Sequence, residues 1–476
     1  MEKEAVLVNT DYNALFEKQV AYSQKLRSEP WQSRKKLLKK LEEYVLKNRD
    51  RIQKALKADL GKSATEVDIT EIYPVVSSIK HTVANLVNWV APEPVDAPLT
   101  YLGTSSEIHY EPKGVCLVIG PWNFPFMLTI EPLVSCLAAG NTAIIKPSEF
   151  TPHTSALLRE MVAEFFPEDL VTVVEGDAQA ATQLLKLPFH HIFFTGSTGV
   201  GKIVMRAAAE HLASVTLELG GKSPTIIDSS ANLADAARRI AFGKLLNTGQ
   251  ACVAPDYVLV DKTVEREFID RLKEQISKLY AENGTITPQS PDYARIVNAR
   301  NFNRIDSLVQ DAIQRGAKVE LNGPSDAAQL FFHPVILSQV SPDSKIMEEE
   351  IFGPVLPIIS YSSEDEILPV VLGKPRPLAL YIFSTRRSFQ EKITQAVSAG
   401  AVCINECMLQ FTHPNLPFGG INASGFGKAH GRYGFLAFSN EKPVLKQKRG
   451  ITMSYFLHPP FTNRVKRTIN LMLRWM

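Results

Sequence analysis

Little in this chain would hold a fold together covalently or through a metal. Its 476 residues include only five cysteines, Cys116, Cys136, Cys252, Cys403 and Cys407, an odd set without metal-ligand spacing. A disulfide framework and a zinc site are therefore not expected, and a reducing compartment such as the cytoplasm is. Cys403 and Cys407 have a C-x3-C spacing that fits neither a redox pair nor a zinc pair, and Cys116 and Cys136 read as small buried hydrophobes. The ten histidines show no ligand pattern, so no metal is expected. Charge of one sign is also missing, with 52 basic against 50 acidic residues, which leaves no field to gather nucleic acid. The opening Met1-Glu2-Lys3-Glu4-Ala5 has no apolar run of the secretory kind, so export is not expected. Internal repeats and low-complexity tracts are absent.

What is present is length and pattern. At roughly 100–200 residues per domain, the chain has room for about three. Leu38, Leu41, Val45, Ile52, Leu56 and Leu60 stand among Lys, Arg and Glu at amphipathic helical spacing, and residues 1–90 are read as helical. From residue 115 short apolar runs take over, at 115–119, 142–145, 171–174, 191–194, 215–217 and 225–227, with helical stretches such as 152–166 and 202–211 between them. Runs without polar alternation suit strands covered on both faces, a doubly wound α/β pattern. A second series at 257–260, 319–321, 334–337, 355–359, 378–383 and 401–404 reads as another α/β unit. The proline-punctuated residues 92–98 precede a stretch, 99–110, that could form a projecting hairpin, although composition alone makes it a surface loop.

Two reactive side chains lie 34 residues apart in glycine-flanked turns: Glu218 in Leu217-Glu218-Leu219-Gly220-Gly221 and Cys252 in Gly249-Gln250-Ala251-Cys252. A thiolate that attacks a carbonyl, with a carboxylate to activate water against the resulting thioester, is a coherent pair. Pro121-Trp122-Asn123-Phe124-Pro125 follows the run 115–119, and its amide can donate to a developing oxyanion. Read plainly, it is a rigid turn. Thr195-Gly196-Ser197-Thr198-Gly199-Val200-Gly201-Lys202 follows a strand and opens a helix, where amide groups can meet phosphate. It meets the Walker A spacing as far as Lys202, but Ile203 stands where that motif needs Ser or Thr, so a nucleotide triphosphatase is a weak rival.

In these stretches the chain resembles the aldehyde dehydrogenase superfamily, most of all its class 3 and fatty-aldehyde branch, and the likeness spans almost the whole sequence. It implies an α/β fold with a Rossmann-type cofactor domain (1–93 and 113–218, with part of 424–438), an α/β catalytic domain (219–423), an oligomerisation arm (94–112 and 439–449) and a basic amphipathic tail (450–476). Cys252 would be the nucleophile, Glu218 the base and Asn123 an oxyanion donor. Gly196, Ser197 and Gly201 would meet the pyrophosphate of NAD, with Ser197 as a donor. Lys146 and Glu149 would bind the adenosine ribose, and the Glu should disfavour a 2′-phosphate, although the branch accepts NADP as well. Glu350 and Phe352 would reach the nicotinamide half. Phe124, Ala251, Phe411 and Thr412 would line an apolar substrate tunnel for medium- or long-chain aliphatic or aromatic aldehydes. A homodimer is implied.

From Lys442 to Met476 no acidic residue occurs, and residues 461–476 mix Arg464, Lys466, Arg467 and Arg474 with Phe461, Val465, Ile469 and Leu471. Such a helix is too short and charged to span a bilayer; it suits an anionic membrane surface or plain packing, and the resemblance to fatty-aldehyde-type members implies a cap on the substrate tunnel. Two rival functions stay open: an acylating dehydrogenase that hands its thioester to coenzyme A, against which Glu218 counts, and a catalytically silent structural protein on the same fold.

Overall fold

Apolar runs that lack polar alternation become strands whose two faces are both covered. The computed structural model describes residues 11–98, 101–282, 284–450 and 458–475. The chain begins with helices, Tyr12–Leu26, Trp31–Lys47, Arg49–Leu60 and Tyr73–Trp89 among them. The amphipathic stretch 31–60 is two helices rather than one. At the junction Asn48 leaves helical geometry (φ −96°, ψ 12°), and its side-chain amide donates to the Tyr44 carbonyl while its Oδ1 accepts from Arg51. Asn is suited to this competition with the helix backbone. Leu38, Leu41, Val45, Ile52, Leu56 and Leu60 are all buried across the break.

The first strands, β1 (Glu93–Val95) and β2 (Thr104–Pro112), pair antiparallel. There follow β3 (Val115–Ile119), β4 (Thr142–Lys146), β5 (Val171–Val173), β6 (His191–Thr195) and β7 (Ser214–Glu218), all parallel, in the order β7-β6-β3-β4-β5. The chain runs from β3 to one side through β4 and β5, then returns to the other side of β3 with β6 and β7. The switch point therefore falls between β3 and β6, where ligands bind in doubly wound sheets. Alternate residues of β3 face opposite helical layers. Val115, Leu117 and Ile119 pack with Leu15, Phe16 and Val204, while Cys116 and Val118 pack with Leu38, Leu56 and Leu133.

A second sheet follows: β8 (Pro224–Ile227), β9 (Tyr257–Asp261), β10 (Lys318–Leu321), β11 (Val335–Ser338), β12 (Val355–Tyr361), β13 (Ala379–Phe383) and β14 (Ala401–Ile404), in the order β10-β11-β12-β9-β8-β13-β14. Only β10 runs antiparallel to its neighbour. Residues 225–227, which periodicity groups with the earlier runs, thus join the later ones. The cause lies just before them: Lys222 forms a buried ion pair with Asp256, and the Asp256 N–H donates to the Ser223 carbonyl at 2.9 Å, so β8 starts beside β9.

Late in the chain, β15 (Gly425–Phe426) returns antiparallel against β7. Then β16 (Ser439–Gln447) pairs with β2 over nine residues and completes a three-stranded antiparallel sheet. Residues 99–100 of the expected hairpin lie outside the described residues. The final helix is Asn463–Trp475, so Phe461 precedes it, and Leu471 and Leu473 are exposed. Among the described residues no helix is long and apolar enough to cross a membrane.

Asn141 ties three of these parts together. Its Oδ1 accepts from the Gly114 N–H at 2.8 Å, and its Nδ2 donates to the carbonyls of Cys136 at 3.2 Å and Phe438 at 2.9 Å. The side chain is fully buried, so Asn141→Ala strands backbone groups that water cannot reach. A loss of roughly 2–4 kcal/mol is expected, seen as a lower urea midpoint at unchanged slope; an unchanged midpoint would show that these bonds do not stabilise the fold.

Candidate active site

Parallel strands end on one edge of their sheet, so the motifs that follow them meet there. Glu218 ends β7, Lys146 ends β4, Gly196 and Ser197 follow β6, and Asn123 lies four residues beyond β3. Cys252 comes from the second sheet, in the turn that leads into β9. Within that turn the Ala254 N–H donates to the Ala251 carbonyl at 3.0 Å, and the Cys252 and Val253 amides turn toward the thiol. The two loops are bonded directly. Asn123 donates through Nδ2 to the Gln250 carbonyl at 3.0 Å, and the Asn123 carbonyl accepts from the Asn247 side chain at 2.8 Å. An amide carries two N–H bonds, so one on Asn123 remains for a ligand.

A third group holds the same carbonyl. Lys62, fully buried, donates through Nζ to the Asn123 carbonyl at 3.0 Å and to Glu71 Oε1 at 2.7 Å, and its ammonium lies 4.1 Å from the Phe124 ring centre. The other oxygen of Glu71 accepts from the Met127 N–H at 2.9 Å. Burial pushes the Glu71 carboxyl upward against the pull of Lys62. Nearby, Glu66 accepts from the Asn247 N–H at 2.8 Å, where Asn247 and Thr248 both adopt positive φ. Lys62, in the short loop after helix Arg49–Leu60, and the helical Glu66 and Glu71 together clamp the Asn123 loop. Pattern reading missed them, because Lys62, Glu66 and Glu71 look like ordinary charged positions of a surface helix.

Cys252 and Glu218 line one cavity together with Glu131, Phe411, Phe418 and His430. Both oxygens of Glu218 are buried without a hydrogen-bond partner. Burial raises its carboxyl well above the usual range; Glu131 adds to the rise, and Lys428 opposes it. Burial, followed by the charges of Glu350 and Glu218, pushes the Cys252 thiol up to about 12. The protein alone thus keeps its nucleophile protonated, and a positive charge brought into this space would favour the thiolate. Cys403 and Cys407 do not line this cavity.

The residues expected to hold a dinucleotide occupy the sheet edge in varied ways. Lys146 is buried, with Nζ donating to Glu149 at 3.0 Å and to the Pro147 carbonyl at 2.9 Å. Ser197 caps the helix Thr198–Glu210 by accepting the Val200 N–H at 3.4 Å, which leaves its own O–H free to donate. Gly201 sits inside that helix, where a Cβ would strike Leu219, so the glycine permits close helix-to-sheet packing; beside Gly199 the space is open. Gly196 backs onto the Phe194 ring. Glu350 presses so closely on Gly220 that any side chain there would collide with its carboxylate, and burial with the Asp256 charge lifts Glu350 to about 8. The Lys222 and Asp256 pair steers this segment: Lys222 donates to the Glu349 carbonyl at 3.0 Å, and Asp256 accepts from the Ile351 N–H at 2.9 Å. Phe352 meets Trp122 edge to face at 5.2 Å. An open helix N-terminus, a carboxylate cradled against glycine and an adjoining unpartnered Glu218 fit a dinucleotide laid along this edge.

Of the expected substrate residues, Phe411 lines the inner cavity and Phe411 with Thr412 lines an outer one, while Phe124 and Ala251 pack into the core and line neither. No residue of the final helix lines either cavity. The inner cavity exposes almost only apolar surface, as expected, whereas the outer one is mixed, with Glu131 and His430 in the wall that the two share. A single carboxylate within the otherwise uncharged helix Met127–Ala139 was the signal that pattern reading passed over.

Replacing Lys62 by Met would leave Glu71 buried without its cation. A destabilisation of about 3 kcal/mol is expected, partly recovered in Lys62→Met/Glu71→Met; calorimetry that shows the single variant as stable as the parent would refute the clamp.

Comparison with known proteins agrees with this geometry. The Aldehyde dehydrogenase family profile matches residues 6–444. Aldehyde dehydrogenase family 3 member A2 of mouse is 41% identical over 91% of this chain and 88% of its own. The substrate-bound AldH of Staphylococcus aureus superposes with a TM-score of 0.92 at 40% identity, covering 97% of this chain and 100% of that one. PnpE from Pseudomonas, solved in complex with nicotinamide adenine dinucleotide, gives 0.84 at 25% identity over 93% of this chain and 90% of that one. The chain belongs to the aldehyde dehydrogenase family and is an NAD(P)-dependent oxidoreductase acting on aldehydes.

Proposed function

We propose that the protein converts aldehydes to carboxylic acids through a thioester on Cys252, and that medium- to long-chain aliphatic or aromatic aldehydes are its substrates. The observation that carries this reading is the cavity shared by the Cys252 thiol and a buried, unpartnered carboxylate, beside an amide bonded to the loop that precedes the thiol. Cys252 sulfur bonds to the carbonyl carbon. The free N–H of Asn123 and the Cys252 backbone N–H receive the charge that develops on oxygen. When bound, NAD(P)+ supplies the hydride acceptor; Lys146, Glu149, Gly196, Ser197 and Gly201 would hold its adenosine and phosphate side, and Glu350 and Phe352 its nicotinamide side. Glu149 at the ribose supports NAD as the preferred form. Glu218 then takes a proton from water, the hydroxide oxygen bonds to the acyl carbon, and the C–S bond breaks to return the thiolate and release the acid.

In the same reading the six-stranded sheet carries the cofactor and the seven-stranded sheet the nucleophile. The three-stranded sheet is the contact of a homodimer, supported by the free outer edge of β16 and by exposed Val95, Leu102 and Leu445. The basic helix Asn463–Trp475, with Leu471 and Leu473 exposed, suits peripheral contact with an anionic membrane in the cytoplasm.

Mixing the protein with an aldehyde panel and either cofactor should yield NAD(P)H with wild type and none with Cys252→Ala. Glu218→Gln should keep a first burst near one equivalent and lose steady turnover by about 100-fold or more. Because Cys252 and Glu218 act in deprotonated form and burial holds both protonated, turnover should rise with pH from 6 toward 9. Full turnover by Glu218→Gln, or a rate that falls over that range, would sink the assignment. Sedimentation should show a dimer that co-pellets with anionic vesicles unless residues 460–476 are removed; a monomer, or binding indifferent to the deletion, would refute those parts.

A further inference from the structure

Next to the chamber that holds Cys252 lies a second cavity that reaches the surface at the exposed Tyr73 and is lined by Tyr73, Ser77, Ser78, His81, Thr412 and Pro414. The two cavities share three wall residues, Glu131, Phe411 and His430. A substrate that comes through the outer cavity toward the thiol therefore passes this waist. There His430 Nε2 lies 3.3 Å from the Glu131 carboxylate, with both side chains about 10% exposed. The imidazole is fixed: it stacks on Phe418 at 4.9 Å and 13°, and Phe411 meets it edge-on at 4.9 Å. Glu131 also takes a hydrogen bond from Ser78. His430 adopts φ +69°, and its carbonyl accepts from the Gly434 N–H at 3.0 Å, so the backbone as well as the ring is constrained.

A hydrocarbon chain that slides past this pair strips water from a carboxylate and an imidazole and returns no hydrogen bond. A chain that carries an oxygen at that depth returns one. Sites built to hydrogen-bond a substrate group discriminate strongly against the analogue that lacks it, whereas apolar walls discriminate weakly. The outer cavity continues the same character, with two serines and His81 on its wall. We propose that Glu131 and His430 form a specificity-determining subsite at the tunnel waist, which binds a hydroxyl or similar hydrogen-bonding oxygen borne on the chain of the aldehyde. This rests on the aldehyde-oxidising reading of Cys252.

The test compares alkanals with hydroxyalkanals of equal length, the hydroxyl moved along the chain, by kcat/KM from NAD(P)H absorbance. Wild type should favour at least one hydroxyl position by about tenfold or more. In Glu131→Leu that ratio should collapse toward unity, chiefly through KM, and Glu131→Gln, which keeps an acceptor, should retain part of it. No preferred hydroxyl position in wild type, or a preference that survives Glu131→Leu, would overturn the subsite. So would an equal slowing of every substrate with a displaced pH profile, which would mark Glu131 as a proton carrier. Should Glu131→Leu not fold, the Glu131→Gln ratio decides alone: an undiminished preference overturns the proposal. Thermal-shift binding of the same pairs to Cys252→Ala reads the subsite without turnover, so absence of NAD(P)H in wild type indicts the reaction, and equal binding of both members indicts the waist.

Discussion

The active-site geometry depends on the seam where the carboxyl edge of one parallel sheet meets the amino end of β9 in another. Parallel pairing makes the loops after β3, β4, β6 and β7 emerge side by side, which brings Asn123, Lys146, Ser197 and Glu218 together from distant parts of the chain. The Cys252 turn arrives from the opposite sheet and is held by hydrogen bonds rather than by chain connection. Asn123 and Gln250 bond across the seam, Asn247 returns a bond to Asn123, and Lys222 with Asp256 anchors the segment that bears Glu350. A shift of one sheet against the other would separate thiol, carboxylate and amide at once.

The shell that makes this seam dense also sets its chemistry. Cys252, Glu218 and Glu350 are all pushed toward their neutral forms by burial, and the two carboxylates add to the effect on the thiol. A site of neutral groups costs less to fold than one of unpaired charges. It also makes reactivity conditional, since the thiolate becomes favourable once positive charge enters the cavity. Two ion pairs buried close to the Asn123 and Glu350 loops, Lys62 with Glu71 and Lys222 with Asp256, are bonded to backbone carbonyls and N–H groups, so they position loops and take no part in bond making.

Much of the architecture was legible locally. The runs at 115–119, 257–260 and 401–404 became strands within a residue or so, because an apolar run between turn residues is a local property. Sheet membership was not legible in periodicity, since residues 225–227 look like their predecessors; the buried Lys222–Asp256 pair and the bond from Asp256 to Ser223 set them beside β9. The helical break at Asn48 escaped periodicity because the apolar face continues across it. Ser197 also caps the helix Thr198–Glu210, a role for its hydroxyl oxygen that depends on the final turn geometry and that pattern reading did not anticipate.

The sequence by itself determined the chemistry on offer: a thiol, a carboxylate and an amide, each in glycine- or proline-bounded turns whose backbone preferences act over a few residues. Tertiary structure alone decided that Lys62 supports Asn123 from 61 positions away, that Phe124 and Ala251 belong to the core, and that Glu131 meets His430 in the tunnel wall. Such meetings are set by how helices and sheets pack, where the free energy is shared among many contacts and no short stretch of residues carries it.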